Sequence, residues 1–155
     1  MNFKKKTIGR MYFDGKIDIS DPCYSRESCG RINDVDVQPG DYDVVSWITA
    51  NGTVGIIGIY LNGVFPDQDF PSHEKMCYLE SIGVDSGIAG FLKSGTELNR
   101  KEWEDFCNLF YNKIKDNELI LDWGVVCYSG HGDGEYDVYA LKVNDKVIAA
   151  EIRFS

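Results

Sequence analysis

Apolar and polar residues alternate along most of this chain, with the two-residue period of β-strands far more often than the period of a helix. Met11, Phe13, Ile17 and Ile19 alternate with polar neighbours around Asp14-Gly15, a favoured two-residue turn, which predicts a hairpin over residues 9–24. A polar loop over 25–34 and a short strand from Asp34 to Val37 then lead to a turn at Pro39-Gly40. Two longer runs, Tyr42 to Thr49 and Thr53 to Leu61, flank Ala50-Asn51-Gly52 and predict a second antiparallel hairpin. Val64 to Lys75 has two prolines, two aspartates, one histidine and no period, and reads as a long surface loop. Strand patterns return from Cys77 to Val84, Leu119 to Ser129, Tyr136 to Val143 and Val147 to Phe154, the last two joined at Asn144-Asp145.

One segment has the other period. Asn99 can cap, Glu102 stands three residues on as in a capping box, and Trp103, Phe106, Cys107, Phe110 and Ile114 recur at three- and four-residue spacing. They predict a helix over about 99–116 that covers one face of a sheet. With roughly eight or nine strands, one helix and no βαβ alternation, the expected class is α+β: a mainly antiparallel β sandwich or partly open barrel. Residues 1–155 are expected to form a single domain.

Composition narrows the function classes. Hydrophobic residues make up 43% of the chain, with eight Phe, nine Tyr and three Trp, enough for a core without covalent staples. No apolar run approaches the ~18–20 residues that span a bilayer. The opening Met1 to Lys6 is not followed by an apolar signal core, so a cytosolic location and no membrane contact are expected. A net charge of −9 disfavours a surface that tracks duplex nucleic acid. Five scattered cysteines, without a Cys-x-x-Cys pair, and two histidines argue against a zinc site; reduced thiols are expected, with Cys107 and Cys127 as small core residues. The acidic pairs Asp41/Asp43 and Asp67/Asp69 read as solvated loop charge.

Three segments rich in Gly, Asp and Tyr stand where strands end: Ser20 to Tyr24, Val84 to Phe91, and Gly130 to Tyr136. Pro22 pushes Asp21 toward extended backbone, and the Asp21 carboxylate can take amide hydrogens of the following turn; the other role open to Asp21 and Tyr24 is to face a ligand, with the phenol as donor. Asp85-Ser86-Gly87 opens a run of small residues that allows close approach of another strand or of a bound group, and its successive amides could form an anion nest. Gly130-His131-Gly132-Asp133-Gly134 is the most permissive backbone in the chain, where His131 could supply a proton or the whole could be a plain hairpin loop.

These motifs resemble a family of small bacterial and phage proteins of unknown function in which Asp-Pro-Cys-Tyr, Val-Asp-Ser-Gly-x-Ala-Gly and Gly-Asp-Gly-x-Tyr-x-Val-Tyr occur in this order. The matching residues are Asp21 to Tyr24, Val84 to Gly90 and Gly132 to Tyr139. The resemblance implies a shared fold and no established reaction or cofactor.

The leading expectation is a non-catalytic binding protein whose pocket is formed by Asp21, Tyr24, Asp85, Ser86, Gly87, His131, Asp133 and Tyr136. Its ligand would be a small polar or nucleotide-derived molecule, with phosphates on the glycine-loop amides and Tyr24 or Tyr136 stacked on a base; a phage-type sponge for a signalling nucleotide is one concrete version. Two alternatives stand beside it. One is an acidic protein-interaction or inhibitor module steered to a basic partner. The other is a metal-assisted hydrolase using His131 and the aspartates. No cofactor is expected, and a homodimer through a strand edge is open.

Overall fold

Where a strand alternates, one face meets a core; where it is apolar throughout, both faces are covered. Both kinds occur in the computed structural model, which describes residues 3–64 and 76–155. Among the described residues there are eleven strands and one helix. In chain order these are β1 (Lys4–Phe13), β2 (Lys16–Ser20), β3 (Ile32–Asp36), β4 (Gly40–Ile48), β5 (Val54–Leu61), β6 (Cys77–Val84), β7 (Ile88–Lys93), α1 (Arg100–Asn112), β8 (Glu118–Leu121), β9 (Gly124–Tyr128), β10 (Gly134–Val143) and β11 (Lys146–Arg153). They form two antiparallel sheets, ordered β1-β4-β5-β11-β10-β6 and β3-β2-β7-β9-β8. The sheets stack as an open sandwich, so of the two expected architectures the sandwich is the one adopted.

Phe13, Ile17, Ile19, Val44, Ile57, Ile59, Phe91, Val125 and Ile152, all at most 1% exposed, fill the space between the sheets. The helix lies outside the five-stranded sheet, where Phe106 and Phe110 pack on Ile88, Leu92 and Val126. Its start is the expected capping box, with Asn99 and Glu102 each accepting the other's backbone amide. Its end comes at Asn112, short of the expected 116, yet Ile114 still reaches the same apolar cluster. On the far side of the six-stranded sheet Val45, Trp47, Ile56, Tyr60 and Ala149 make a third cluster, which is why β5 reads as an almost unbroken apolar run.

Two pairings differ from the sequence expectation. The turn at Asp14-Gly15 does not close a hairpin: β1 runs antiparallel to β4, while β2 pairs with β3 and β7 in the other sheet. The turn is therefore a corner where the chain changes sheets, and β1 finds the longer partner in β4. The run from Leu119 to Ser129 is two strands, β8 and β9, folded on each other through Asp122-Trp123. The β4/β5 and β10/β11 hairpins form as expected, and Asn144 and Asp145 both take the positive φ, 52° and 65°, of the tight turn between twisted strands. The loop expected at Val64 to Lys75, with Asp67, Asp69 and His73, lies outside the described residues after Val64.

Candidate functional site

The three motifs meet at one end of the sandwich, and Asp21 holds two of them together. Its side chain is fully buried. One carboxylate oxygen accepts the Cys23 amide at 2.8 Å and the Ser86 hydroxyl at 2.8 Å. The other accepts the amides of Asp85 at 2.8 Å and Ser86 at 2.7 Å. A carboxylate has about four acceptor positions, and these bonds, with the Cys23 thiol beside them, leave none for an outside donor. The anion nest that the sequence offers at 85–86 thus exists, and the anion in it is the protein's own.

The third motif docks on the second. Ser129 donates its amide to the Gly87 carbonyl at 2.9 Å, the Ser129 hydroxyl and the Tyr136 phenol both donate to the Gly132 carbonyl, and His131 donates its amide to the Ser129 carbonyl at 2.9 Å. Gly130 is needed here on two counts: its φ is +79°, and a Cβ would stand 2.4 Å from the Val54 carbonyl oxygen. Gly90 answers the question raised by the small-residue run after Ser86. A Cβ there would lie 1.9 Å from the Val125 carbonyl oxygen, so the close approach is by strand β9.

Beside this junction opens a cleft of about 380 Å³. Its walls are Thr53 and Val54 at the start of β5, Ser86 and Gly87 between β6 and β7, Tyr111 near the end of α1, Asn117, Tyr128 at the end of β9, and Ser129, Gly130 and Gly132 after it. Tyr128 stacks on Phe110 with ring centroids 4.5 Å apart and planes 11° from parallel, and Tyr111 stands 5.8 Å from Tyr128. The Tyr111 hydroxyl donates to the Ser86 carbonyl at 2.9 Å, so both rings are fixed before any ligand arrives. Burial, with the neighbouring Cys107 adding to it, pushes the Tyr111 phenol up to about 12 and the Tyr128 phenol in the same direction; both are neutral donors at physiological pH.

Of the residues expected at the site, Ser86 and Gly87 line the cleft, Asp21 braces it from behind, and Asp85 and Asp133 stand exposed beside it. The Asp133 carboxylate lies 4.0 Å from where a Cβ on Gly87 would be. Tyr24 is not a wall of the cleft: its ring lies against Gly30 and Gly83, and burial followed by the charges of Asp21, Asp85 and Asp133 raises its phenol. Tyr136 is a strut: its ring packs edge-on against Phe154 at 5.1 Å while its hydroxyl holds Gly132. His131 is exposed, and among the described residues nothing bonds or orients its imidazole. Among those residues no three His, Cys, Asp or Glu side chains are grouped to hold a metal ion.

Tyr111, Tyr128, Asn117 and Thr53 were not among the expected site residues. Tyr128 carried a signal, since it directly precedes Ser129-Gly130. Tyr111 reads as a helix residue next to the apolar stripe and carried none.

Cys23 is exposed as a residue, but its thiol faces the Asp21 carboxylate. Desolvation, then a hydrogen bond to Asp21 and the charges of Asp21 and Asp85, push it up to about 12. Iodoacetamide at pH 8 is expected to label Cys23 at least about a hundredfold more slowly than it labels glutathione, because the thiolate is the nucleophile. Peptide mapping over a time course reads the rate; labelling as fast as glutathione would show that Asp21 does not hold the thiol.

Compared with known proteins, the chain matches no family model, no curated protein and no solved structure.

Proposed function

We propose that this protein is a non-catalytic binding module that captures a small polar molecule in the cleft between the 85–87 turn, the end of α1 and the 128–132 loop. The observation that carries the reading is the preformed cleft itself. Its size is within the range of about 300–1,000 Å³ usual for small-ligand sites, two tyrosine rings are pinned on one wall, and the 85–87 turn is bonded to Ser129 at the rim and to Asp21 behind it. Preorganised walls of this kind lower the ordering cost of binding.

Turnover has less support. A general base needs a partner that orients it, and His131 has none among the described residues. A nucleotide-derived ligand meets a different obstacle. The two amides best placed for a phosphate, those of Asp85 and Ser86, already donate to Asp21. A polar ligand without a phosphate therefore fits the cleft better than the sponge version.

Native mass spectrometry of protein purified from its source cells, set against the denatured mass, tests the reading. A retained small-molecule adduct is expected, and Tyr111→Ala should lose it while keeping a wild-type circular dichroism spectrum, since Tyr111 is half exposed and contributes a wall. An adduct held equally by Tyr111→Ala would place the ligand elsewhere and sink the assignment to this cleft.

A further inference from the structure

An asparagine followed by glycine is open to attack on its own side chain, because the next residue has no Cβ to keep its amide nitrogen away from the carboxamide carbon. The chain has two such pairs, Asn51-Gly52 before β5 and Asn62-Gly63 after it. We propose that Asn62 is a site of spontaneous deamidation, attacked by the Gly63 nitrogen and activated by the Arg10 guanidinium, and that the fold protects Asn51. In the reaction the Gly63 nitrogen gives its proton to solvent base and bonds to the Asn62 side-chain carbon, and the side-chain nitrogen leaves as ammonia. Water then opens the cyclic imide at one or the other carbonyl, leaving aspartate or isoaspartate.

Space and solvent do not separate the two pairs. All four residues are exposed, and a Cβ on Gly52 or on Gly63 would meet nothing within 4 Å. Hydrogen bonding does separate them. Gly52 closes its turn by donating its amide to the Thr49 carbonyl at 2.9 Å, so the nitrogen that would attack Asn51 is committed. In the second turn the closing bond comes from Val64, which donates to the Leu61 carbonyl at 2.7 Å. Gly63 then sits inside the turn with φ +86°, and among the described residues its amide donates to no acceptor. Arg10 adds the activation. Its Nη2 lies 3.5 Å from Asn62 Oδ1, and its Nε donates to Asp43 at 2.8 Å, which fixes the guanidinium there. A cation at that oxygen draws electrons from the carbon under attack and stabilises the negative charge that develops when the nitrogen adds. The product aspartate would leave Arg10 between two carboxylates, its own and that of Asp43.

The test is a time course of the full chain at mildly alkaline pH, native and in guanidinium chloride, with each asparagine followed by peptide mapping and mass spectrometry. In the native protein Asn62 is expected to convert at least about threefold faster than Asn51, the scale of one hydrogen bond to the attacking nitrogen, and to yield both aspartate and isoaspartate. In guanidinium chloride the two rates should converge. Arg10→Met keeps the side-chain stem at a position that is 59% exposed, so the fold should hold; it should slow Asn62 by about twofold, the scale of an exposed charge interaction, and leave Asn51 unchanged. Native rates that are equal, or an Asn62 that stays intact while the unfolded chain converts, would overturn the proposal. The same ratio in guanidinium chloride as in the native protein would trace the preference to the flanking residues and overturn the structural assignment. An Asn62 rate unmoved by Arg10→Met would overturn the part given to the guanidinium.

Discussion

Asp18→Asn will cost about 3–5 kcal/mol of folding stability, the range seen when one partner of a buried ion pair is removed and the other stays buried. Against the roughly 5–15 kcal/mol that holds a typical domain, this is enough to leave much of the chain unfolded at physiological temperature. Asp18 is fully buried in the middle of β2. It accepts from the Arg31 guanidinium at 2.7 Å, from Arg26 at 3.1 Å, and from the backbone amides of Asp34 at 2.8 Å and Gly95 at 3.0 Å. The Arg31 side chain is as buried as its partner, so after the substitution a guanidinium remains in the interior without its counter-charge. Asp34→Asn is the contrasting variant: Asp34 pairs with Arg26 at the surface, where solvent screens the pair, and its melting transition should stay close to that of the wild type. Urea or thermal unfolding followed by circular dichroism decides; near-equal transitions for the two variants would show that the Asp18 network is not what ties the 21–31 loop to the sheet.

The same network sets an acid dependence. Burial alone would raise the Asp18 carboxyl, but the hydrogen bonds from Arg26, the Asp34 amide, Arg31 and the Gly95 amide outweigh it and hold the group below its ordinary 3.8. The native state therefore keeps Asp18 ionised at a pH where the unfolded chain has begun to bind a proton. Its contribution is complete above the ordinary value and is lost as pH falls below it through the depressed native value. Wild-type stability should fall on acidification below about pH 4, and Asp18→Asn should flatten that limb of the curve.

Asp18 also marks where sequence reasoning stops. Between Ile17 and Ile19 it occupies the polar position of an alternating strand and looks like a solvent-facing residue. What buries it is the 21–31 loop, and neither Arg26, Arg31 nor Gly95 announces that it will fold back on β2. Features whose partners are close in sequence were legible: the Asn99/Glu102 capping box, the β4/β5 hairpin, and the Asn144-Asp145 turn. Features decided by competition between distant partners were not. Asp14-Gly15 has the chemistry of a hairpin turn, yet β1 pairs with β4 and β2 with β7, because both inner faces are covered only if the chain crosses between sheets there. The site divides in the same way. The motif loops could be named from their glycines and aspartates, whereas the tyrosine wall depends on how α1 docks.

Asp21→Ala should lose about 4 kcal/mol, and unlike the loss at Asp18 it should be partly restored by a small added anion. Three amides, the Ser86 hydroxyl and the Cys23 thiol converge on this carboxylate, and removing it leaves the part-buried amides of Asp85 and Ser86 without an acceptor, each at a cost of about 1–3 kcal/mol. For a chain of this size that corresponds to a melting temperature lower by roughly 10–15 °C. The alanine also leaves a space the shape of a carboxylate in front of two aligned amides and a hydroxyl, and formate has the geometry to fill it. Tens of millimolar formate should raise the melting temperature of Asp21→Ala by a few degrees and leave the wild type unmoved, with chloride at equal ionic strength as the control. Asp21→Asn separates the charge from the space: its amide group fills the site and turns a donor toward donors, so it should be as unstable as the alanine and gain nothing from formate. A formate response in Asp21→Asn or in the wild type, or none in Asp21→Ala, would mean that the 85–86 turn is not an internally occupied nest. The nest would then be open to an outside anion, and the argument that turns the cleft away from phosphate would lose its main support.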